Sequence, residues 1–189
     1  MMATEPATTP IDEFVDKLEA LTQRDAARAD LAKLRRCAGR SLAECPEIFQ
    51  LFYRLLPYAV RGDDREEERY LLVATLFALD PRSSRARDFG VSMRAVAGSR
   101  GAGREGVDKR MAVLLDSPSD DVAFRLRQVV ALAASADIGV NWRSLLSDVL
   151  WWDHPARRVQ RRWARSYFGG GPATASEETA AAKTRESED

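Results

Sequence analysis

Apolar residues recur along this chain at the three- and four-residue spacing of amphipathic helices, and no segment alternates in the manner of a strand. The first such pattern follows Thr9 and Pro10, a cap and a first-turn proline, and its apolar positions are Ile11, Phe14, Val15, Leu18 and Leu21. Further helices are predicted at about 25–37, 48–56, 63–79, 91–97, 107–115, 118–134 and 141–152. A last helix is expected to start at Asp153 and Pro155. This succession predicts an all-α fold.

One of these helices has the pattern of a buried central element. Its stretch from Tyr70 to Leu79 is apolar almost all round. Asp63 and Glu66 have the spacing of a capping box at its start. Residues 81–90 predict a basic loop after it, and Ser117 is expected to cap the later helix that begins at 118.

A cluster of glycines interrupts the helical pattern between 98 and 106 and predicts a division into two helical-bundle lobes. The expected lobes are 11–98 and 104–168, after a flexible N-terminus at 1–10. Residues 169–189 are rich in Gly, Ala, Ser, Thr and Glu and predict a disordered acidic tail. The glycines do not follow a strand and lack the lysine spacing of a phosphate loop, so no nucleotide site is predicted there.

The formal net charge of zero conceals a basic middle between acidic ends. Residues 1–20 carry a net charge of −4 and residues 169–189 a net charge of −3, which leaves +7 on residues 21–168. This distribution is compatible with a polyanionic partner, although proteins without one share it. No stretch resembles a signal peptide or a membrane span, so a cytoplasmic location without membrane contact is expected.

The strongest candidate for binding is the segment from Trp151 to Arg165, which carries no acidic residue after position 153. On a helix its arginines fall within an arc of about 140°. They are Arg157, Arg158, Arg161, Arg162 and Arg165. Val159, Trp163, Ala156 and Tyr167 gather on the other side. One face can pack while the other holds phosphates, and a merely solvated polar face is the alternative.

Basic residues also cluster elsewhere. Arg35 and Arg36 close the second helix, where they also suit the helix dipole. Residues 82–110 carry a net charge of +5, much of it in predicted loops. Arg125 and Arg127 interrupt an apolar helix, so at least one should be at an interface or partly buried and paired. Several such clusters on one surface would make a track for a nucleic-acid backbone that does not read bases.

No catalytic or metal-binding constellation can be assembled from the sequence. His154 is the single histidine and is expected to make local hydrogen bonds beside a helix cap. Cys37 and Cys45 lack histidine partners and are expected to be core residues. We therefore predict no enzyme activity, no metal and no cofactor. The tryptophans could stack on unpaired bases, but their helical spacing favours a place in the core or at a subunit interface.

Five stretches of this sequence, taken in order, resemble the CasB family, the small subunit of the type I-E CRISPR surveillance complex called Cascade. They are LAKLRRCAG at 31–39, RYLLVATLFAL at 69–79, FGVSMRAVA at 89–97, FRLRQVVALA at 124–133 and NWRSLLSDVLWWDHPARRVQRRWARSYF at 141–168. Their order and spacing extend the resemblance over almost the whole segment from about residue 11 to residue 168, and the last stretch is the most specific.

The resemblance implies an all-helical protein without enzyme activity of its own. It implies that paired copies of the chain line a crescent-shaped complex built on a guide RNA and contact its large subunit and backbone subunits. It further implies a basic surface that holds the displaced DNA strand, or contacts guide and target backbone, so that the opened R-loop persists. This role is physically reasonable, because exchanging a DNA duplex for a guide heteroduplex is nearly balanced in free energy.

The same resemblance assigns nucleic-acid contacts to basic residues at matching positions. They are Arg35, Arg36, Lys109, Arg110, Arg127, Arg157 and Arg158, to which the arginine face of the last helix adds Arg161 and Arg162. The sequence thus predicts a subunit that binds nucleic-acid backbone without sequence specificity. An adaptor that only bridges proteins, with its arginines paired to acidic partner surfaces, is the main alternative. A helical DNA-binding regulator is a third, but no clear helix-turn-helix is present.

Overall fold

The computed structural model describes residues 8–23 and 27–169, and over these ranges the chain is α-helical with no strand. The helices are α1 (Pro10–Thr22), α2 (Arg28–Arg36), α3 (Phe49–Leu55), α4 (Asp64–Phe77), α5 (Phe89–Ser99), α6 (Arg104–Asp116), α7 (Ser119–Ser135), α8 (Trp142–Leu150) and α9 (Arg158–Phe168). Short 3₁₀ turns lie at Leu42–Glu44, Pro46–Ile48, Tyr58–Val60 and Gly101–Gly103. The all-α prediction is confirmed. None of the helices in these ranges has the length and apolar character that a membrane crossing requires.

The first helix begins as its sequence predicts, whereas the capping box predicted for the fourth forms only in part, through Asp63 and without the return bond to the Glu66 side chain. Thr9 accepts a hydrogen bond from the Asp12 amide while the Asp12 carboxylate accepts one from the Thr9 amide, which completes a capping box ahead of Pro10. Asp63 caps α4 by accepting a hydrogen bond from the Glu66 amide at 2.9 Å. Every residue of α4 from Tyr70 to Phe77 is buried, so the prediction of a central helix is confirmed.

Several predicted boundaries are wrong, because side chains form contacts that the local pattern does not show. Ser117 does not cap α7, since its hydroxyl donates to the carbonyl of Val113 at the end of α6. Helix α5 begins at Phe89 and is capped by Asp88, so the loop predicted at residues 81–90 ends before residue 89. Helix α6 begins at Arg104, so Lys109 lies in its second turn rather than at its start.

The predicted start of the last helix is also wrong. Helix α9 begins at Arg158, and the residues before it form turns. Asp153 is not a helix cap, because its carboxylate accepts hydrogen bonds from Arg65 at 2.6 Å and Arg69 at 2.8 Å, both on α4. Ala156, expected on the packed side, is exposed in these turns.

The tightest helix pair in the described part of the chain is α5 with α9. The two backbones meet at Gly90, where an added Cβ would lie 2.5 Å from the carbonyl oxygen of Trp163. The Trp163 ring packs against Phe89 at 5.1 Å and against Trp152 at 5.3 Å between centroids. Glycine and these aromatic contacts therefore set how closely α9 approaches the core.

Buried side chains from α1 to α9 form one continuous hydrophobic cluster. That cluster includes residues of both predicted lobes, and the division at the glycines stays a prediction. Most of the predicted flexible N-terminus, at residues 1–7, and the predicted tail, at residues 170–189, lie outside the described ranges.

Candidate nucleic-acid interface

Helix α9 separates a packed face from a cationic one, as the sequence predicts. Its buried residues are Val159, Gln160, Trp163, Ser166 and Tyr167. The exposed positions between them are arginines at the spacing of one helical stripe, namely Arg158, Arg161, Arg162 and Arg165. The first turn of this helix has no acidic residue to offset its arginines. Positive side chains at a helix N-terminus are unfavourable to the helix dipole, so packing does not explain their presence there. The stripe therefore presents a concentrated positive charge.

Polar anchors on the packed face fix the rotation of α9. The Trp163 indole nitrogen donates to Asp148 at 2.6 Å, the Ser166 hydroxyl donates to Asp88 at 2.7 Å, and the Tyr167 hydroxyl donates to Asp108 at 2.6 Å. Burial, together with the Asp108 carboxylate, raises the pKa of Tyr167. Because all three bonds come from one side of the helix, the arginine stripe is held facing outward.

Two of the predicted arginines also bind within the protein. Arg157 adopts a left-handed backbone conformation at φ 47°, and its guanidinium donates to the carbonyl of Leu115. Arg162 pairs with Asp148, whose carboxylate is buried. By contrast, the side chains of Arg158 and Arg161 form no hydrogen bond or ion pair with any other described residue. Of the four arginines predicted to bind nucleic acid in this segment, only Arg158 and Arg161 therefore have guanidinium groups that no other described residue engages.

A second basic group lies where the end of α2 approaches α7. Arg35 and Arg36 are exposed at the last turn of α2, and the Arg35 Nε donates to the carbonyl of Ala78 at 2.7 Å. Arg127 on α7 lies beside the turn after α2, since a Cβ added at Gly39 would lie 3.2 Å from the Arg127 Cδ. Arg127 therefore lies beside the turn that directly follows Arg35 and Arg36.

A third basic group lines a groove of about 230 Å³ between α6 and α7. Lys109 and Arg110 lie on its α6 side, and Lys109 also pairs with Glu105 at 2.7 Å. Arg125, which the sequence reasoning did not select as a binding residue, lines the α7 side. Its guanidinium lies 5.3 Å from the Phe124 ring centroid, and its buried Nε has no hydrogen-bond partner among the described residues. The feature of the sequence that could have identified Arg125 is its aromatic neighbour, Phe124.

Helix geometry separates the second group from the third. Residues 125 and 127 are two positions apart, so they are separated by about 200° around the axis of α7 and lie on nearly opposite sides of the helix. Arg125 faces the α6 groove and Arg127 faces the end of α2. The predicted basic residues consequently form distinct groups instead of a single row along α7.

The single histidine and the two cysteines have local structural roles. The His154 Nδ1 accepts a hydrogen bond from the Ala156 amide at 3.1 Å, which agrees with the local role predicted for it. Cys37 and Cys45 are fully buried, in agreement with their assignment to the core. Their sulfur atoms and a Glu47 oxygen lie within 4.8 Å of one another. Burial raises the pKa of Cys37 to about 12, which disfavours the thiolate that a metal would require.

Comparisons with known proteins agree on one family. The sequence model for the CRISPR-associated protein Cse2 matches residues 30–168. The Cse2 protein of Thermus thermophilus is 38% identical over 169 residues, which cover 86% of this chain and 92% of the relative. The crystal structure of CasB from Thermus thermophilus has a TM-score of 0.70 at 35% identity and covers 86% of this chain and 99% of its own.

A chain in a structure described as a CRISPR RNA-guided surveillance complex is also similar, with a TM-score of 0.69 at 25% identity. The match covers 94% of this chain and 97% of that one. The family match spans more than half of the sequence and includes the arginine-rich helix α9. The resemblance drawn from the sequence blocks is thereby confirmed, and the chain belongs to the CRISPR-associated Cse2 family, also called CasB.

Proposed function

We propose that this chain is the non-catalytic small subunit of a type I-E Cascade complex and binds nucleic-acid backbone without reading its sequence. Its similarity to a chain of an RNA-guided surveillance complex supports the assembly. The expected partners are a second copy of this chain, the large subunit and backbone subunits, the guide RNA, and the target DNA including its displaced strand. The expected location is the cytoplasm.

The observation that carries the proposal is the arginine stripe of α9. Arg158 and Arg161 have no partner among the described residues, and the Arg165 Nε donates only to a carbonyl of its own helix at 3.2 Å. From Arg158 to Arg165 the helix rises by about 10 Å, so the three guanidinium groups can contact neighbouring phosphates of one strand. A helix N-terminus adds its own attraction for anions.

Arginines arranged in this way recognise charge and backbone geometry but not base identity. Phosphate contacts position a protein on nucleic acid, whereas sequence is read at base edges. In an R-loop the heteroduplex is about as stable as the duplex it replaces, so backbone contacts to the displaced strand shift the balance toward the open state. Stabilisation of the R-loop in antiviral defence is therefore the function that this surface supports best.

A salt series on the full chain tests the proposal. We expect the association constant for single-stranded DNA to fall steeply with salt and to be similar for unrelated sequences of one length. The variant R158Q/R161Q/R165Q should weaken binding and reduce the salt slope by about 2, since each lost phosphate contact on a single strand contributes about 0.7. It leaves Arg157 and Arg162 in place because both also bind within the protein.

A control variant removes the same charge elsewhere. Lys17, Lys33 and Arg54 each pair with an acidic residue at the surface and lie outside α9 and its anchoring contacts. K17Q/K33Q/R54Q should therefore lower affinity slightly and leave the salt slope nearly unchanged. Equal slopes for the two triple variants would show that net charge alone drives binding. An unchanged affinity in the α9 variant would support the protein adaptor instead.

A further inference from the structure

Trp151 is the exception among the four tryptophans of the chain. Trp142, Trp152 and Trp163 are buried, in agreement with the core positions that their spacing favours, whereas 63% of Trp151 is exposed. Trp151 is the C-cap residue of α8, and its ring is not part of the hydrophobic cluster. The exposed indole leaves a large apolar face open to solvent, where it can serve as an anchor for a ligand.

The exposed indole stands between two grooves that both carry arginines. The smaller groove, about 180 Å³, is lined by Trp151, His154, Arg158 and Arg162 together with Asp148 and Val159. The larger one, about 480 Å³, lies on the other side toward the start of α4. It is lined by Trp151 with Arg65 and Arg69, but the side chains of both arginines pair with Asp153. The smaller groove is therefore the one with a fully available cation, Arg158.

His154 is the aromatic neighbour of the indole and lines both grooves with it. The imidazole centroid lies 6.1 Å from the Trp151 ring, with 43° between the two planes. The histidine is itself held in place, because its Nδ1 accepts a hydrogen bond from the Ala156 amide. A ring whose orientation is restricted before binding loses less conformational entropy when a ligand stacks on it.

An aromatic face beside a cationic stripe matches the chemistry of single-stranded nucleic acid. Unpaired bases stack on aromatic side chains whatever their sequence, while the phosphates that join them bind arginine. The smaller groove opens onto Arg158, the first member of the α9 stripe, so a base on Trp151 and its phosphates on the stripe belong to one continuous surface. The carboxylates of an acidic protein segment would satisfy the arginines but would not themselves stack on the indole face.

We propose that Trp151 is a stacking site for an unpaired base of a strand whose phosphates lie along Arg158 and Arg161. This inference rests on the proposed function and adds a contact to the base, which arginines alone do not supply. It predicts a preference for strands that carry bases over strands that carry only sugar and phosphate. The preference is independent of sequence, because every base has a face that can stack.

The test uses the full chain and two single-stranded probes of equal length. One is oligothymidylate, and the other has abasic tetrahydrofuran sites in place of the bases, so the two carry the same charge. W151A should bind oligothymidylate about 5- to 140-fold more weakly, the range that corresponds to the loss of one stacked base. It should bind the abasic probe as tightly as the wild type. W151F keeps an aromatic face and should recover most of the loss.

Two further measurements separate stacking from a structural effect. Oligothymidylate should quench the tryptophan fluorescence of the wild type, the abasic probe should not, and W151F should lose the quenching. Y58A removes the most exposed aromatic residue of the described chain, at 85% exposure, and should bind both probes normally. An equal loss of both probes in W151A and W151F would mean that the surface is distorted and would overturn the proposal.

The outcomes distinguish the two proposals. If R158Q/R161Q/R165Q weakens binding of both probes while W151A binds both as the wild type does, the stacking site is refuted and the phosphate site stands. If the arginine variant changes nothing, the proposed function fails. If W151A binds both probes normally but no longer assembles with the other subunits, Trp151 is a protein contact and the stacking proposal is overturned.

Discussion

Replacing Arg162 with glutamine should destabilise the protein, whereas the same change at the neighbouring Arg161 should not. The two arginines are adjacent on one exposed helix face, and the sequence assigned both to phosphate binding. Only Arg162 forms an ion pair, with Asp148, which is 4% exposed. Its replacement would leave a carboxylate in the protein interior without its cation.

The magnitude follows from the surroundings of that carboxylate. Removing one partner of a fully buried ion pair costs about 3–5 kcal/mol. The Arg162 side chain is 44% exposed, so water already screens part of the interaction, and we expect about 2 kcal/mol for R162Q. For a protein of this size that corresponds to a decrease in Tm of about 4–8 °C. R161Q should change stability by less than about 0.5 kcal/mol.

The assay is urea unfolding of the wild type, R161Q, R162Q, D148N and the double variant D148N/R162Q. Because the double variant contains no buried charge, the two single effects should not add, and the coupling should be about 1–2 kcal/mol. Equal stability of R161Q and R162Q, or simple additivity in the cycle, would show that Arg162 does not neutralise a buried Asp148.

The pH dependence provides a second check of the same pair. Burial raises the pKa of Asp148, and hydrogen bonds from Arg162 and Trp163 offset that rise only in part. With a pKa raised in the folded state, Asp148 favours folding most when it is protonated, and this contribution is lost as the pH rises through the folded pKa. The penalty of R162Q should therefore be largest at neutral pH and should shrink as the pH falls toward 3.8, the ordinary aspartate value. A penalty that does not change with pH would contradict a buried charge as its cause.

Three further predictions concern packing, acid stability and thiol reactivity. G90A should destabilise the fold by about 1–3 kcal/mol, because its Cβ meets the Trp163 backbone, while G98A in the same helix has open space and should not; equal unfolding midpoints in urea would disprove the close contact. Burial raises the pKa of Asp153, but hydrogen bonds from serine and arginine outweigh it, so the pKa is lowered overall. D153N should therefore lower the free energy of unfolding by about 1 kcal/mol at neutral pH, and the loss should vanish once the pH falls well below 3.8. A loss that stays constant across an acid titration would count against this effect. Cys37, with its pKa raised to about 12, should resist Ellman's reagent in the native protein and react after denaturation; rapid native labelling would show that it is accessible.

The orientation of helix α9 follows from its local sequence pattern, but its start does not. The alternation of arginines with Val159, Trp163 and Tyr167 depends only on the turn of the helix, and the structure confirms which side is buried. The beginning of that helix was mispredicted, because Asp153 is suited to a cap but instead binds arginines of α4, whose positions are far away in sequence. Cap signals are local preferences, and a distant partner can override them.

Composition, helical period and ordered motifs are properties of the chain alone, and they suffice to predict an all-α fold, a basic middle and the family resemblance. Which charges and rings remain available depends on contacts made across the fold. Arg162 and Arg157 find their partners 14 and 42 residues away, so nothing adjacent to them signals that they are engaged. Trp151 and Trp152 are neighbours of identical chemistry, yet one is exposed and the other buried. Helix α8 ends at Leu150, and the turn that follows directs only the second ring toward Trp163, a choice made by packing across the fold.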